Sequence, residues 1–144
     1  MNRSSSFVRF AELSDAESIH RLSTQLGYEP TCSKTSESRL QALLLSETDF
    51  VWVYERENEL LGWLHAFVAQ RLASAAFVEL GGLIVDQAAR RVGVGRTLVQ
   101  AASGEAKKLD MTLRVRCNAK RTETHQFYRE LGFDELKQQR VFSG

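Results

Sequence analysis

The sequence has little of the material from which several classes of protein are built. Its 144 residues include one proline, two cysteines and three histidines. Cys32 and Cys117 are too few and too far apart for a disulfide framework or a zinc knuckle. We also expect no metal site, because the histidines lack carboxylate neighbours at the spacing of metal ligands. The single proline and nine glycines argue against a collagen-like or low-complexity chain.

Long apolar runs are also missing. A membrane helix needs about 18 apolar residues, and the best candidate run, residues 60–67, is interrupted by His65. The first residues contain Arg3 and three serines, without the apolar segment of a signal peptide. We therefore expect a soluble, reduced, cytoplasmic protein with no membrane partner.

An excess of one charge sign is absent as well. The 19 Lys and Arg residues face 18 Asp and Glu residues, and a net charge of +1 excludes a globally basic nucleic-acid binder. The chain does have 43% hydrophobic and 26% charged residues, enough for a packed core. At this length we expect one domain over residues 1–144.

The charges are unevenly distributed along the chain. Between residues 90 and 121 there are nine bases and two acids, so this segment carries seven excess positive charges and the remainder six excess negative ones. Such a basic segment is either a solvated face or a binding site for a polyanion such as a nucleotide cofactor.

Hydrophobic periodicity and turn residues predict ten elements. Predicted strands occupy residues 7–11, 50–55, 60–69, 75–85, 112–117 and 134–142. The first predicted helix begins at a capping box formed by Ser14 and Glu17 and ends at Gly27. The other three helices are predicted from residues 33–36 to about 45, from the turn at 90–95 to about 109, and over 122–131.

These elements follow the order β-α-α-β-β-β-α-β-α-β, which predicts an α/β (α+β) fold. The polar turn at residues 56–59 predicts a hairpin. Gly81 and Gly82 predict a bulge or a close backbone approach within a strand. A mixed, mostly antiparallel central sheet with helices on both faces is the architecture that suits this order.

One glycine-bearing turn carries a chemical signal. The run Arg90-Arg91-Val92-Gly93-Val94-Gly95 lies between a predicted strand and a predicted helix. Glycines there let successive N–H groups and the helix N-terminus converge on one point, which is how proteins bind a diphosphate. A glycine turn before a helix also occurs for purely structural reasons. The run is neither a P-loop nor a dinucleotide fingerprint, because the required Lys and third glycine are missing.

The spacing Arg90-x-x-Gly93-x-Gly95 resembles the Arg/Gln-x-x-Gly-x-Gly/Ala signature of the general-control-related N-acetyltransferase (GNAT) superfamily. Residues 83–86 are similar to that family's fourth strand, and Asn118 with residues 127–133 resembles its C-terminal motif. Three stretches further resemble the aminoglycoside 6′-N-acetyltransferase-like branch: Gln25-Leu26-Gly27-Tyr28, Gly62-Trp63-x-His65 and His125-x-Phe127-Tyr128.

The resemblance implies acetyl-CoA as cosubstrate, bound where two parallel strands separate. Backbone N–H groups from Val92 to Thr97 would hold the pyrophosphate, and Leu83 and Val85 would pair with the pantetheine arm. The Leu83 N–H would polarise the thioester carbonyl. The full set of implied cofactor-binding residues is Leu83, Ile84, Val85, Arg90, Arg91, Val92, Gly93, Val94, Gly95, Arg96, Thr97 and Asn118.

Two of these assignments have alternatives. Asn118 would contact the pantetheine through its amide, but an Asn at that place also suits a plain turn. Arg91 replaces the glycine often found there in the family, and is either an added phosphate contact or a surface arginine.

The resemblance also implies two catalytic residues. Tyr128 would be the general acid that protonates the departing thiolate, although its helical position also suits a core residue. Glu79 would be the base that takes a proton from the incoming ammonium. The alternative for Glu79 is a strand residue that faces solvent or pairs with an arginine.

The acceptor channel is implied to involve Tyr28, Glu29, Trp63 and Phe67. Trp63 and Phe67 face one side of a predicted strand, which equally describes an ordinary core. His65 and His125 are substrate contacts, relay groups or packing residues. Both cysteines are interpreted as small core or surface residues, because neither has a catalytic partner nearby in the sequence.

The leading hypothesis is an N-acetyltransferase that moves acetyl from acetyl-CoA to a primary amine of a small molecule or peptide by direct attack in a ternary complex. The alternatives are a non-catalytic, regulatory acyl-CoA-binding module and a domain whose glycine turn binds nothing. Homodimers are common in the superfamily. Acids in the N-terminal half slightly favour a cationic acceptor, or are solvated surface: Glu29, Glu37, Glu47, Glu55, Glu57 and Glu59.

Overall fold

Strands and helices follow one another along the chain in the order that the sequence predicts, up to the last element. The computed structural model describes residues 5–25, 32–90, 92–116 and 122–144, the side chains of 122 and 123 excepted. The strands are β1 (Ser6–Phe10), β2 (Asp49–Arg56), β3 (Glu59–Ala69), β4 (Phe77–Val85) and β5 (Leu113–Val115). The helices are α1 (Ala16–Gln25), α2 (Ser33–Leu45), α3 (Val94–Lys108) and α4 (Thr122–Glu130).

The five strands form one sheet in the order β1-β2-β3-β4-β5. The first three pairings are antiparallel, and β4 pairs with β5 in parallel. The β2–β3 hairpin turns at Glu57 and Asn58, whose φ values of 51° and 66° are typical of a tight two-residue turn. The predicted hairpin and the mixed, mostly antiparallel sheet are therefore confirmed.

Helices cover both faces of the sheet, as predicted. Trp52 and Tyr54 of β2 pack with α3 in one buried cluster, whereas Val51 and Val53 pack with α1 and α2 in another. This alternation follows from the strand period of two residues. Leu64 and Leu98 of the first cluster are fully buried.

The first helix begins differently from the prediction. A short 3-10 turn, Leu13–Asp15, precedes α1, and the Asp15 carboxylate accepts the Glu12 N–H at 2.7 Å. Ser14 therefore lies inside a turn, and the predicted Ser14–Glu17 capping box is wrong. The Asp15 carboxylate is held beside the Glu12 N–H because both of its oxygens also accept hydrogen bonds from the Arg9 guanidinium, at 2.8 and 2.9 Å.

The predicted strand at residues 134–142 is also wrong. Residues 133–144 form no strand or helix, and Leu136, Val141 and Phe142 are exposed by 69%, 89% and 88%. The run Glu135-Leu136-Lys137-Gln138-Gln139-Arg140 offers a single apolar side chain, so it has no apolar face to bury against the sheet. Among the helices described, none is long and apolar enough to cross a membrane.

Candidate active site

β4 and β5 separate after a short pairing. They pair only from Val78–Leu113 to Leu80–Val115, whereas β4 continues to Val85. At the far end of β4 the Asp86 N–H donates to the Leu61 oxygen of β3 at 2.8 Å. Backbone groups alternate sides along a strand, so those of Leu83 and Val85 point away from β3. Nothing in the described ranges pairs with β4 on that side beyond Leu80.

A bulge at Gly81 creates this arrangement. His65 pairs with Gly82 and Ala66 with Leu80, so Gly81 is the extra residue in β4. The extra residue shifts the alternation, and the outward-facing positions become 83 and 85. Ile84 lies between them with its side chain buried in the α1–α2 cluster. The predicted bulge is confirmed, and the geometry favours Leu83 and Val85 over Ile84 as ligand contacts.

The N-terminus of α3 follows this open strand edge. Gly93 has φ +88°, a left-handed conformation that glycine adopts without strain, and α3 begins at the next residue. The N–H groups of a helix's first turn have no acceptor within the helix, here those of Val94, Gly95 and Arg96. Thr97 does not belong with them, because its N–H donates to the Gly93 oxygen at 3.0 Å. The predicted diphosphate contact from the Thr97 amide is therefore corrected.

Three exposed side chains flank that helix start: Arg90, Val92 and Arg96. Two of them are bases, and the N-terminus of α3 carries the positive end of the helix dipole. This end of the protein therefore suits an anion.

α3 packs closely against α4 at Gly95. A Cβ atom at Gly95 would lie 3.2 Å from Cζ of Phe127 and 3.6 Å from Cγ2 of Val85. The Phe127 ring therefore packs against the backbone of α3 and the end of β4. Tyr128 follows Phe127 directly, so this contact also fixes where Tyr128 lies.

Tyr128 is a buried residue. It is 7% exposed and belongs to the α3-side cluster, where its ring makes edge-to-face contacts with the Phe127 and Phe133 rings at centroid distances of 5.0 and 5.6 Å. Tyr128 also lines a cavity beside β5. Its ring is thus part of the core, as the alternative expected, and Tyr128 is at the same time one of the residues that line the cavity.

Glu79 lies on β4 just before the strands separate. It is directly opposite Phe67 of β3 and level with Arg114 of β5. Its carboxylate Oε1 is 3.4 Å from Nε of Arg116, with the Glu79 side chain 14% exposed and that of Arg116 56%. The arginine pairing that was the alternative for Glu79 is therefore present.

The cavity that contains Tyr128 also contains Glu79. Its volume is about 450 Å³, and its walls come from the start of β4, from β5, from α4 and from residues 133–141. His125 lines it as well. The structure thus brings together the two predicted catalytic residues, which lie 49 positions apart in the sequence.

Trp63, His65 and Phe67 share the sheet face of Glu79. Alternate residues of β3 face one side, and Phe67 is directly opposite Glu79. The His65 and Phe67 rings are 5.7 Å apart. Trp63 packs against the α1–α2 cluster, and its buried Nε1 has no hydrogen-bond partner in the described part of the chain. The predicted common face of Trp63 and Phe67 is confirmed, and their contact with an acceptor stays a prediction.

Asp49 is a residue that the sequence analysis missed. Its Oδ1 lies 2.8 Å from Nε2 of His65, and its Oδ2 accepts from the Ser46 hydroxyl at 2.7 Å. Burial alone raises the pKa of Asp49, but the hydrogen bonds from Ser46 and His65 lower it below its ordinary value. The register of the β2–β3 hairpin, which places Asp49 on the face of His65, is the signal that could have identified this pair.

Several predicted residues lie outside the described ranges: Tyr28, Glu29, Arg91, Cys117 and Asn118. Cys32 is exposed, as one of its two interpretations expected. Within the described residues, no group of three or more His, Cys, Asp or Glu side chains is placed to hold a metal ion.

The family model of the acetyltransferase (GNAT) domain matches residues 8–144. The chain belongs to the GNAT acetyltransferases. The match extends over nearly the whole sequence and includes the open edge of β4, the start of α3 and the α4 segment with Tyr128. None of the curated proteins compared with this GNAT chain matches it significantly.

Solved acetyltransferase structures share the fold of this GNAT chain at low sequence identity. An aminoglycoside N-acetyltransferase AAC(6′)-Iy in complex with CoA has a TM-score of 0.87 and 16% identity over 99% of this chain and 97% of its own. The aminoglycoside antibiotic 6′-N-acetyltransferase AAC(6′)-IG of Acinetobacter haemolyticus has a TM-score of 0.83 and 18% identity, over 96% and 97%. Glucosamine-6-phosphate N-acetyltransferase of Arabidopsis thaliana has a TM-score of 0.83 and 16% identity, over 96% of this chain and 98% of its own.

Proposed function

We propose that this GNAT chain is an acetyl-CoA-dependent N-acetyltransferase whose acceptor is a primary amine, with direct attack in a ternary complex. The observation that carries the proposal is the presence of Glu79 and Tyr128 at one cavity, beside the point where β4 and β5 separate. A carboxylate and a phenol at one site supply a base and an acid, which are the two proton-transfer groups that the reaction needs.

The residues around the opening fit acetyl-CoA. The outward-facing backbone of Leu83 and Val85 would bind the pantetheine arm, as a missing neighbouring strand would. The first-turn N–H groups of α3, together with Arg90 and Arg96, would bind the pyrophosphate. Acetyl-CoA supplies the acetyl group as an activated thioester, and the Leu83 N–H is the assigned donor to its carbonyl oxygen. Arg91 and Asn118 keep, as predictions, the contacts that the family resemblance implies.

The two side chains divide the proton transfers between them. Glu79 accepts a proton from the ammonium nitrogen, directly or through water, and passes it to solvent. Tyr128 protonates the thiolate through its phenolic hydroxyl and regains a proton from the attacking nitrogen. The thioester C–S bond breaks and the amide C–N bond forms. Of the two protons that the ammonium loses, one ends on sulfur and one in solvent.

The alternative is a regulatory module that binds acyl-CoA without turnover. Such a module needs the open strand edge and the start of α3, but it needs no acceptor site. A cavity of about 450 Å³ next to Glu79 supports turnover over mere binding.

Two measurements test the proposal. Acetyl-CoA binding is followed by calorimetry, and thiol release is followed with a panel of amines that includes amino acids, amino sugars, amino sugar phosphates, polyamines, aminoglycosides and peptides. We expect binding, and thiol release with at least one acceptor. Binding without thiol release would favour the regulatory module. A domain that binds nothing would also lack the gain of about 2.7 kcal/mol in unfolding free energy that a ligand gives at ~100 times its Kd.

A further inference from the structure

Basic side chains outnumber acidic ones in the lining of the cavity beside Glu79. Five basic side chains from four parts of the chain contribute to it: Arg71, Arg114, Arg116, Arg129 and Lys137. Three acids contribute, namely Glu79, Asp134 and Glu135. The cavity therefore has an excess of positive charge in a protein whose net charge is only +1.

The acids that favoured a cationic acceptor and are described in the structure lie elsewhere. Among the described ones, none of the residues Glu37, Glu47, Glu55, Glu57 and Glu59 lines this cavity. Glu55, for example, is paired with Arg9, two strands away from β4. These five acids therefore do not make the cavity acidic.

Two arginines are held over an aromatic ring at the cavity wall. The guanidinium carbon of Arg114 lies 4.1 Å from the centroid of the Phe77 ring, and that of Arg71 lies 5.4 Å from it. Phe77 itself is buried, at 5% exposure. Stacking on a ring orients a guanidinium group, whose fork of N–H donors matches the oxygens of a carboxylate or phosphate.

An anion bound at Arg116 would also release Glu79 from its ion pair. It is paired with the carboxylate that the proposed mechanism needs as a base, at 3.4 Å from Glu79. A competing anion beside Arg116 would draw the guanidinium away, and Glu79 would then be available to an ammonium group. An acceptor with an amine and an anion could thus exchange both partners of the ion pair at once.

We infer that the acceptor of this enzyme carries an anionic group, a carboxylate or a phosphate, close to its reacting amine. The anion binds among Arg71, Arg114 and Arg116, and the ammonium binds at Glu79. This inference rests on the proposed acetyltransferase function. An amine that also carries a phosphate is the acceptor named for one structure with this fold, the glucosamine-6-phosphate N-acetyltransferase of Arabidopsis thaliana.

The test uses pairs of acceptors that differ in the anionic group alone. An α-amino acid is compared with its amide, and glucosamine-6-phosphate with glucosamine, while a polycationic aminoglycoside serves as a third class. We expect kcat/KM to favour the anionic member of at least one pair by about tenfold or more. The pair with the larger ratio distinguishes a carboxylate from a phosphate acceptor.

Arginine variants connect that preference to the cavity. Arg114→Gln and Arg116→Gln are each expected to reduce the ratio of kcat/KM between the anionic and the neutral member of a pair about 10- to 100-fold. Arg56→Gln is the matched control, because Arg56 contacts Ser6 at the opposite edge of the sheet. A preference for neutral or polycationic acceptors, or an equal loss for both members of a pair, would overturn the inference.

Calorimetric binding of the same amines separates this inference from the proposed function. If no amine supports thiol release but the anionic members still bind, and Arg116→Gln abolishes that binding, the transferase proposal fails and the anion site stands. If the anionic members bind no better than the neutral ones, the anion site is wrong whatever the turnover.

Discussion

The first turn of α3 touches the ring of Phe127 through Gly95, where a Cβ atom would lie 3.2 Å from Cζ of that ring. This contact sets the distance between α3 and α4. Because Tyr128 follows Phe127, it also links the proposed diphosphate site to the proposed general acid. A larger residue at position 95 would have to move α4, and Tyr128 with it.

Replacement of Gly95 is compared with replacement of Gly104 in the same helix. A Cβ at Gly104 would meet nothing within 4 Å, so Gly104→Ala should raise the free energy of unfolding by about 0.5–1 kcal/mol. We expect Gly95→Ala to raise the free energy of unfolding by less than Gly104→Ala does. Gly95→Leu should lower it by about 1–3 kcal/mol through overpacking. Urea denaturation measures all three. Equal stability of Gly95→Leu and Gly95→Ala would contradict the close contact with Phe127.

Gly93 is expected to be needed for its backbone conformation. Its φ of +88° suits glycine, and a Cβ would meet no other atom, so the cost of Gly93→Ala is backbone strain of about 1–2 kcal/mol. The altered turn should also weaken acetyl-CoA binding, measured by calorimetry, because it displaces the first N–H groups of α3. Gly93→Asn should lose less stability and less acetyl-CoA affinity than Gly93→Ala, since Asn tolerates the left-handed region better. Unchanged binding by Gly93→Ala would show that these N–H groups do not hold the cosubstrate.

The acid stability of the fold should depend on Asp15. Burial alone raises the pKa of Asp15, but hydrogen bonds from Arg9 and from the Glu12 N–H, and the Arg9 charge, lower it below its ordinary value. Its stabilising contribution is therefore present above about pH 4, the usual Asp pKa, and is lost as the pH falls through the lower folded value. The pKa of Asp49 is also lowered, so Asp49 acts in the same direction.

Denaturation in urea between pH 3 and pH 7 measures this dependence. We expect Asp15→Asn to lower the free energy of unfolding by about 1.5–3 kcal/mol at pH 7 and to reduce its fall in acid. Glu37→Gln is the control, because Glu37 is exposed on α2. It should leave the free energy of unfolding at pH 7 and its fall in acid unchanged. An Asp15→Asn protein with the wild-type acid dependence would exclude the Arg9–Asp15 pair as its cause.

Tyr128→Phe should separate catalysis from packing. The ring contacts with Phe127 and Phe133 remain, so the free energy of unfolding should change by less than about 1.5 kcal/mol. The turnover number should fall by about 10²- to 10⁴-fold, the usual contribution of a general acid. Tyr54→Phe is a matched control, because Tyr54 is equally buried in the same cluster, at 8% against 7%. Equal turnover in the two variants would assign Tyr128 to the core alone.

Local features of the sequence predicted much of the fold. The glycine turn at 93, the hairpin at 57–58 and the bulge at Gly81 were predictable, because each depends on the conformations that a few adjacent residues allow. The prediction of a last strand was wrong, because residues 135–140 offer a single apolar side chain and so have no apolar face to bury against the sheet. The start of α1 was also wrong, since Arg9 on another element holds the Asp15 carboxylate.

The motif resemblance implied Glu79 and Tyr128 as catalytic residues from two separate motifs, and the structure places both at one cavity. Their catalytic roles stay predictions, and the charged residues around them were not predicted. Arg114 of β5 and Arg116, just after β5, lie beside Glu79 through a parallel pairing that no local pattern specifies. The described acids of the N-terminal half, which slightly favoured a cationic acceptor, do not line the cavity, and the acceptor stays a prediction.

The pH dependence of thiol release by Glu79→Gln tests the central claim most directly. With an amine that the wild-type enzyme acetylates, the variant should be slower by about 10²- to 10⁴-fold at pH 7, where the acceptor arrives as an ammonium. Its rate should approach that of the wild type as the pH rises through the pKa of the amine, because the acceptor then needs no base. A Glu79→Gln enzyme with the wild-type rate at every pH would contradict the account.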